Sequence, residues 1–471
     1  VHPPLSGSGQ RKAKLFVEQS NSIQEEQKMA GKLAIDGGTP VLDARTIKPW
    51  PVLDERDRQA VLRVLDGEFL CGGEAPEAKA LEEEWASYVG RKHCLATSSG
   101  TAALHMALAA LNIGPGDEVM VPAYTFLASA SCILHAGAVP VFVDIDRRTY
   151  TIDPSLIEEN ISERTKAIIP VHLHGLPADM DGIMAIAEKH NLYIIEDACQ
   201  AHGAEYRGKK VGQFGDLAAF SLNSSKNLAC GEGGLLVTDE QNLYMRAGML
   251  RMFGDEIDDE TQLRVYNASI LGYMYRTQEL PAALTRAQLP RLDEYNEVRI
   301  RHCEYLTEQL KGIPGVHTPY IPDHCKCVYW MYIVEFYPEE AGVGDLSPEQ
   351  FRVGMEKALF MEGVQLGQWQ TMPVPAQDLF QTKMGFSGSG YPWKFSRAGE
   401  DMVYRGADYP NAQDLCRRYT AVVGYHPPNG KEVVEKYAEA FHKVFSDLDA
   451  VGRHWQDDVV AHYRGSLFRA K

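Results

Sequence analysis

No stretch of the sequence is apolar for the roughly 18–20 residues that a membrane-spanning helix needs. A disulfide framework is missing too. Nine cysteines, an odd number, are scattered over 471 residues, which points to a reducing, cytoplasmic compartment. Metal-ligand spacing is absent: Cys325 and Cys327 sit beside His324, but there is no C-x2-C and no second ligand pair, so no metal is expected. Positive charge is scarce, with 47 Lys and Arg against 64 Asp and Glu and a formal net charge of −17. That argues against nucleic acid or an anionic membrane as partner, while a few local donors still suffice for a small phosphorylated ligand. No G-x-G-x-x-G follows the first strand, which removes the dinucleotide fingerprint of a nicotinamide dehydrogenase. Residues 1–29 are polar and lack a continuous apolar run, so they read as a disordered tail or tag rather than a secretory signal.

What is present is the pattern of a globular chain, long enough to need more than one core. Between Leu95 and Asp239 short β-branched runs alternate with helical periods. Strands are expected at 118–121, 139–143, 167–171, 193–195, 217–222 and 234–237, and helices at 102–111, 129–135 and 180–190. This alternation predicts an α/β fold, a largely parallel sheet with helices on both faces and ligands at the carboxyl ends of the strands. Near Pro290 the character changes: helices are expected at 291–310, 348–363 and 430–448, and a strand-like aromatic run at 328–336. The division expected is an N-terminal segment and large domain over 30–290, a smaller domain over 291–455 and a tail over 456–471. The run 365–405, rich in Gly, Pro and aromatics, is expected to be a structured loop over a site or interface.

Four local features carry chemistry. Thr97-Ser98-Ser99-Gly100-Thr101 leads into a helix, whose free N–H groups and dipole suit a phosphate; alone, it is more often an ordinary Ser/Thr cap. Phe126, in Pro122-Ala123-Tyr124-Thr125-Phe126 at a strand end, could stack on a flat ring, although a single aromatic is more often core. Glu196-Asp197-Ala198-Cys199-Gln200 puts carboxylates where sheet ligands sit, where one could hold a ring nitrogen protonated or merely cap a helix. Lys226 lies in the polar turn Asn223-Ser224-Ser225-Lys226-Asn227 between two strands. A desolvated lysine there can attack a carbonyl; a surface loop lysine is the plainer reading.

Taken in order, these segments resemble the DegT/DnrJ/EryC1/StrS family of sugar and cyclitol aminotransferases, most specifically in EDACQAHGAEYRGKKVGQFGDLAAFSLNSSKNLACGEGGLLVTD from Glu196 to Asp239. The resemblance implies fold type I of the pyridoxal 5'-phosphate (PLP)-dependent transferases, aspartate aminotransferase-like: a mostly parallel seven-stranded sheet with a smaller C-terminal α+β domain. It implies PLP as cofactor, with Lys226 as the Schiff-base lysine and Asp197 on the pyridinium nitrogen. It also places Gln200 near the phenolic oxygen, Phe126 on the ring, and Gly100, Thr101 and Ser221 on the phosphate. It further implies a homodimer with shared sites, and transfer of an amino group from glutamate or glutamine to a keto-sugar or keto-cyclitol.

Two departures stand out. The family's Gly-Tyr-Asn-Tyr-Arg run reads Gly272-Tyr273-Met274-Tyr275-Arg276 here, and methionine cannot donate the asparagine's hydrogen bond to a partner's phosphate. His174 stands where an aromatic is expected; it reads equally as a substrate contact or a packing histidine. Arg251 and Arg276 are candidates for the donor carboxylate. Gln368 and Gln370, with the loop to Trp393, resemble members acting on inosose-type cyclitols and are expected to line the acceptor's outer wall. The alternatives are a PLP lyase or dehydratase, whose dehydrating relatives replace the lysine by histidine, and a PLP-binding regulatory protein without turnover.

Overall fold

The computed structural model describes residues 31–454 except 73–74, 259–260 and 262–263. The tails expected at 1–29 and 456–471 lie outside the described residues.

Seven strands make the main sheet: β1 (His93–Thr97), β2 (Glu118–Pro122), β3 (Val139–Val143), β4 (Thr165–Ile168), β5 (Tyr193–Asp197), β6 (Leu217–Ser221) and β7 (Gly234–Thr238). Their order is β1-β7-β6-β5-β4-β2-β3. Only β7 runs against its neighbours. Every residue of β2, β3 and β7 is buried, which is why they read as unbroken apolar runs. Helices α1 (Glu55–Leu65), α2 (Pro76–Val89), α3 (Gly100–Ala110), α4 (Ala128–His135), α5 (Met180–His190), α6 (Gln241–Arg251) and α7 (Glu279–Gln288) accompany it. Alanine-rich α3 is buried on nearly all sides and packs on β6 and β7, as a helix with no polar face must.

A second, smaller core is built from α8 (Leu292–Leu310), α9 (Pro348–Met361), α11 (Lys431–Phe445) and an antiparallel sheet, whereas α10 (Pro410–Arg418) turns its buried Ala412, Leu415 and Cys416 to the large core. Its strands β8 (Val316–His317), β9 (Tyr332–Phe336), β10 (Leu366–Gly367) and β11 (Tyr419–Val422) lie in the order β8-β9-β11-β10. Tyr332, Phe336, Phe351, Tyr437 and Phe441 fill it.

The chain crosses between these two bodies more often than one boundary near residue 290 allows. Leu33 is buried in the smaller core, and the N–H groups of Ala34 and Val41 donate to the Glu362 carboxylate at 2.8 and 3.1 Å. Conversely, much of the aromatic-rich loop covers the edge strand β3 of the large sheet. Phe380 and Tyr404 pack on Phe142 at 5.0 and 5.4 Å, and the Tyr404 hydroxyl donates to the Pro140 carbonyl at 2.9 Å. An open edge invites pairing with another chain, and this loop closes it.

Three strands are shorter than the sequence suggests, β6 by the single residue after Ser221. β4 stops at Ile168, and Val171 makes only an isolated bridge to Asp197. The run expected from 328 becomes regular only at Tyr332, because the N–H groups of Val328 and Trp330 are spent on the carbonyls of Gly175 and His174.

Candidate active site

Three chain segments converge at the carboxyl edge of the sheet. Ser99 caps α3, its Oγ accepting from Ala102 N at 3.1 Å, while the N–H groups of Gly100 and Thr101 have no acceptor within the helix. A Cβ on Gly100 would stand 2.7 Å from Cys199 Sγ and 2.9 Å from Ser221 Cβ. Only glycine lets the helix N-terminus sit against the ends of β5 and β6 this closely.

Asp197, 4% exposed, ends β5. Ser129 Oγ on α4 donates to its Oδ2 at 2.6 Å and Cys199 N donates to its Oδ1 at 3.1 Å. Ser129 is itself steadied by Thr125 at 2.9 Å. Glu196, pointing to the opposite face, is a structural acceptor: it takes His172 and the N–H groups of Gly212, Phe214 and Gly215. The alternation of the strand thus separates a scaffold acid from a site acid.

Lys226 occupies the turn between β6 and β7. Two tryptophans clamp that turn: Trp50 Nε1 donates to the Lys226 carbonyl at 2.9 Å, and Trp330 Nε1 to the Ser225 carbonyl at 2.8 Å. Lys226 Nζ lies 3.6 Å from the centroid of the Trp330 ring. Burial pushes its ammonium from 10.5 down to about 8, against the opposing fields of Cys199, Asp197 and Glu232. The residue as a whole is still partly exposed, and its amine gives up a proton more readily than a solvated lysine does.

Gln200 is buried, its Oε1 accepting from His174 N at 2.8 Å, which leaves its amide N–H groups for another acceptor. Phe126 is 55% exposed and 6.3 Å from Trp369. His174 is 5% exposed, with its backbone in the left-handed region at φ 56°. Its ring packs against Tyr124 and Trp369 at 5.9 and 5.8 Å. Burial and then the Lys226 charge keep the imidazole neutral, its pKa pushed down to about 3.

The arginines differ. Arg251 is tied to Glu82 at 2.5 Å and to the Ala96 carbonyl at 2.9 Å. Arg276 pairs through its backbone with Thr97, at the entrance to α3, and its Nε is buried without a partner. Neighbouring Met274 is 52% exposed. Of the glutamine and aromatic loop, Trp369 alone joins the rings beside Lys226, 5.9 Å from Trp330. Gln368 donates to the Cys416 carbonyl, Gln370 to that of Met372 at 3.0 Å, and Trp393 packs on Phe380 near β3. Sequence reasoning missed Ser129, Trp50 and Trp330. Their partners lie 68, 176 and 105 residues away along the chain, with no local signal to announce them.

A desolvated lysine amine and a clamped carboxylate at the carboxyl edge of a mostly parallel sheet equip an enzyme to work on carbonyl compounds, and likeness to known proteins makes that enzyme an aminotransferase. The chain belongs to the DegT/DnrJ/EryC1/StrS aminotransferase family, whose model matches residues 51–387. It is 40% identical over 316 residues to a UDP-N-acetyl-3-dehydro-alpha-D-glucosamine 3-aminotransferase of Acidithiobacillus ferrooxidans, covering 67% of this chain and 79% of that protein. It is 39% identical over 327 residues to the L-glutamine:2-deoxy-scyllo-inosose aminotransferase of Streptoalloteichus tenebrarius, covering 66% and 76%. Among solved structures, that of DesV from S. venezuelae in complex with a ketimine intermediate superposes with a TM-score of 0.67 at 31% identity, covering 88% of this chain and 95% of that one. Among the described residues no helix is long and apolar enough to cross a membrane.

Proposed function

We propose that this aminotransferase holds PLP on Lys226 and moves an amino group from glutamate or glutamine to a free keto-cyclitol. The observation that carries the reading is the Lys226 amine itself, on a residue still partly exposed, lowered to about 8 and set beside Cys199 and Asp197.

The residues present fit the cofactor. The cradle at Gly100 is too tight for a Cβ, and its free helix N–H groups, with Thr101 and the Ser221 hydroxyl, would hold the phosphate. Phe126 offers an open ring to cover one face of the pyridine. Asp197 would keep a proton on the ring nitrogen, and Ser129 fixes the carboxylate's orientation. Gln200 would donate its free amide N–H to the phenolic oxygen. When bound, PLP supplies the electron sink for bond-breaking at the amino-bearing carbon. Lys226 then moves a proton to and from that carbon. Of the two arginines, Arg276 is the better seat for the donor carboxylate, since Glu82 already occupies Arg251. Two half-reactions through one site imply ping-pong kinetics.

The acceptor assignment rests on what surrounds Lys226: the rings of Trp330, Trp369 and His174, which suit an uncharged ring better than a nucleotide diphosphate. The S. tenebrarius relative is named for a cyclitol acceptor and the A. ferrooxidans relative for a nucleotide-linked sugar. The reading extends to a two-fold homodimer in which residues 272–276 approach the partner's site.

The test is to load the purified protein with PLP, treat it with borohydride and map the label, which should fall on Lys226. L-glutamine is then supplied with a panel of keto-cyclitols and nucleotide-linked keto-sugars, and products are read by mass spectrometry. A label on another lysine would overturn the cofactor assignment. Amination of nucleotide-linked sugars alone would overturn the cyclitol.

A further inference from the structure

We infer that His174 and Trp369 form a hydrogen-bonding pair that reads the hydroxyl groups beside the carbonyl of the acceptor ring, and so select a polyhydroxylated acceptor. The inference rests on the function proposed above and assigns the acceptor half of that site.

Two buried histidines lie two residues apart and are treated differently by the fold. His172 is 0% exposed, and both its ring nitrogens are bonded: Nε2 to Glu196 at 3.0 Å, and Nδ1 to Ala178 N at 3.1 Å. That is how a packing histidine behaves. His174 is also buried, yet neither Nδ1 nor Nε2 has a partner. Trp369 Nε1 is likewise buried and unpartnered, and its ring lies 5.8 Å from the imidazole at 85°. Two polar groups left open side by side call for a polar ligand between or before them.

The backbone holds His174 in this unusual place. Its N–H is committed to Gln200 and its carbonyl to Trp330 N at 2.9 Å. At φ 56° it pays a strain that a packing role does not explain. A Cβ on the following Gly175 would meet Tyr329 N at 2.7 Å, so the turn is pressed against the segment that carries Trp330. Through Trp330 the pair reaches the reactive amine, whose Nζ lies 3.6 Å from that ring. Tyr124, 0% exposed, backs the imidazole at 5.9 Å, and Phe126, assigned above to the cofactor, lies 6.3 Å from Trp369. Flat rings for the apolar face of a cyclic polyol, with an imidazole and an indole N–H for its hydroxyls, make a site for an uncharged ring.

His202 and Trp85 show the same lack of partners, but both are 0% exposed and sealed in the apolar cluster with Phe220. Trp369 and Lys226 are partly exposed residues, so of the two pairs only that of His174 borders the surface, although the His174 ring nitrogens and Trp369 Nε1 are themselves buried. A neutral imidazole can donate from one nitrogen and accept at the other, which suits a hydroxyl.

The test separates the half-reactions. In H174F and W369F the acceptor half-reaction should lose roughly 10- to 100-fold in kcat/KM, while amino uptake from L-glutamine changes less than about threefold. H174Q, which keeps a donor and an acceptor, should recover part of the loss. An acceptor lacking the hydroxyl beside its carbonyl should be a poor substrate for wild type and be turned over equally well by H174F. A second readout needs no cofactor: scyllo-inositol, which has the ring hydroxyls and no carbonyl, should bind the cofactor-free protein and lose about tenfold in affinity in H174F. Equal losses in both half-reactions, or equal binding of scyllo-inositol by both proteins, would sink the pair and leave the aminotransferase reading standing. A wild-type enzyme that takes no amino group from any donor would remove that reading and this inference with it.

Discussion

The burial of the Lys226 ammonium weighs on the folded state, although an indole face lies 3.6 Å away. Its pKa falls from 10.5 to about 8. Between those values the unfolded chain keeps the proton and the folded chain does not. Stability of the cofactor-free protein therefore rises as pH climbs through that window, and the full penalty stands below pH 8. Lys226→Met should stabilise the cofactor-free fold at pH 7 by about 1–3 kcal/mol, allowing for partial exposure. The advantage should vanish near pH 10.5, as read by urea unfolding of both proteins; a difference independent of pH would show that packing, not charge, is at work. Lys226→Met should also abolish amino transfer. At Asp197 the fine geometry belongs to Ser129, whose Oγ donates at 2.6 Å. Ser129→Ala should cost about 1 kcal/mol in stability and lower single-turnover proton transfer about tenfold, with substrate affinity little changed. Unaltered single-turnover rates would make that bond a packing detail. The residues of this site were legible where the chemistry is local, in a lysine within a polar turn and an acid closing an apolar strand. Ser129, Trp50 and Trp330 were not, because a helix serine and two tryptophans acquire their meaning only through partners that the fold brings from far along the chain.

Among the elements, strands and helices with strong periodicity were readable, and their ends agree to within four residues. The direction of β7 was not, since a buried strand shows the same apolar run whichever way its neighbours point. β1 went unnoticed because His93-Cys94-Leu95-Ala96-Thr97 neither alternates nor carries β-branched bulk in its first four residues. The Gly, Pro and aromatic composition of 365–405 identified a loop with a surface to cover, but composition cannot say which surface. Much of it covers β3. Val374 N donates to the Ala123 carbonyl at 2.8 Å, and just beyond the loop Asn411 Nδ2 on α10 donates to that of Ile145 at 2.8 Å, so the loop and the helix that follows it bind the smaller body to the large one. Trp393, 1% exposed, lies at its centre with Nε1 on the Tyr404 hydroxyl at 3.2 Å. Trp393→Ala should cost about 3–5 kcal/mol. Its midpoint should fall by the same amount for probes in either body, because the loop joins them. A loss confined to the loop, with both cores melting as before, would show that the covering is local.

At the scale of the whole molecule, charge and apolar surface oppose each other. Each copy carries a formal −17, which resists self-association at low salt. Yet the hairpin of Asp255–Ile257 and Arg264–Ala268 and the segment after it leave large apolar side chains in water: Tyr266 is 86% exposed, Leu271 81%, Met274 52% and Val265 42%. Apolar groups gathered in this way mark a contact surface rather than scattered exposure. They adjoin Arg276 and, through Thr97, the N-terminal turn of α3 where the phosphate is proposed to sit. A two-fold contact here would place each copy's 272–276 segment near the other's cofactor, and burial would remove the apolar groups from water. If so, the dimer should tighten as salt rises from about 20 to 200 mM, since screening shortens the reach of the net charge. Leu271→Asp adds one more negative charge per copy to an apolar contact. It should yield a folded monomer with an unchanged far-ultraviolet spectrum, weakened PLP affinity and at least about tenfold lower turnover. Sedimentation velocity at assay concentration with parallel rate measurements decides the matter. A Leu271→Asp protein that is monomeric, fully loaded and fully active would show that each chain completes its own site and that this apolar strip serves something else.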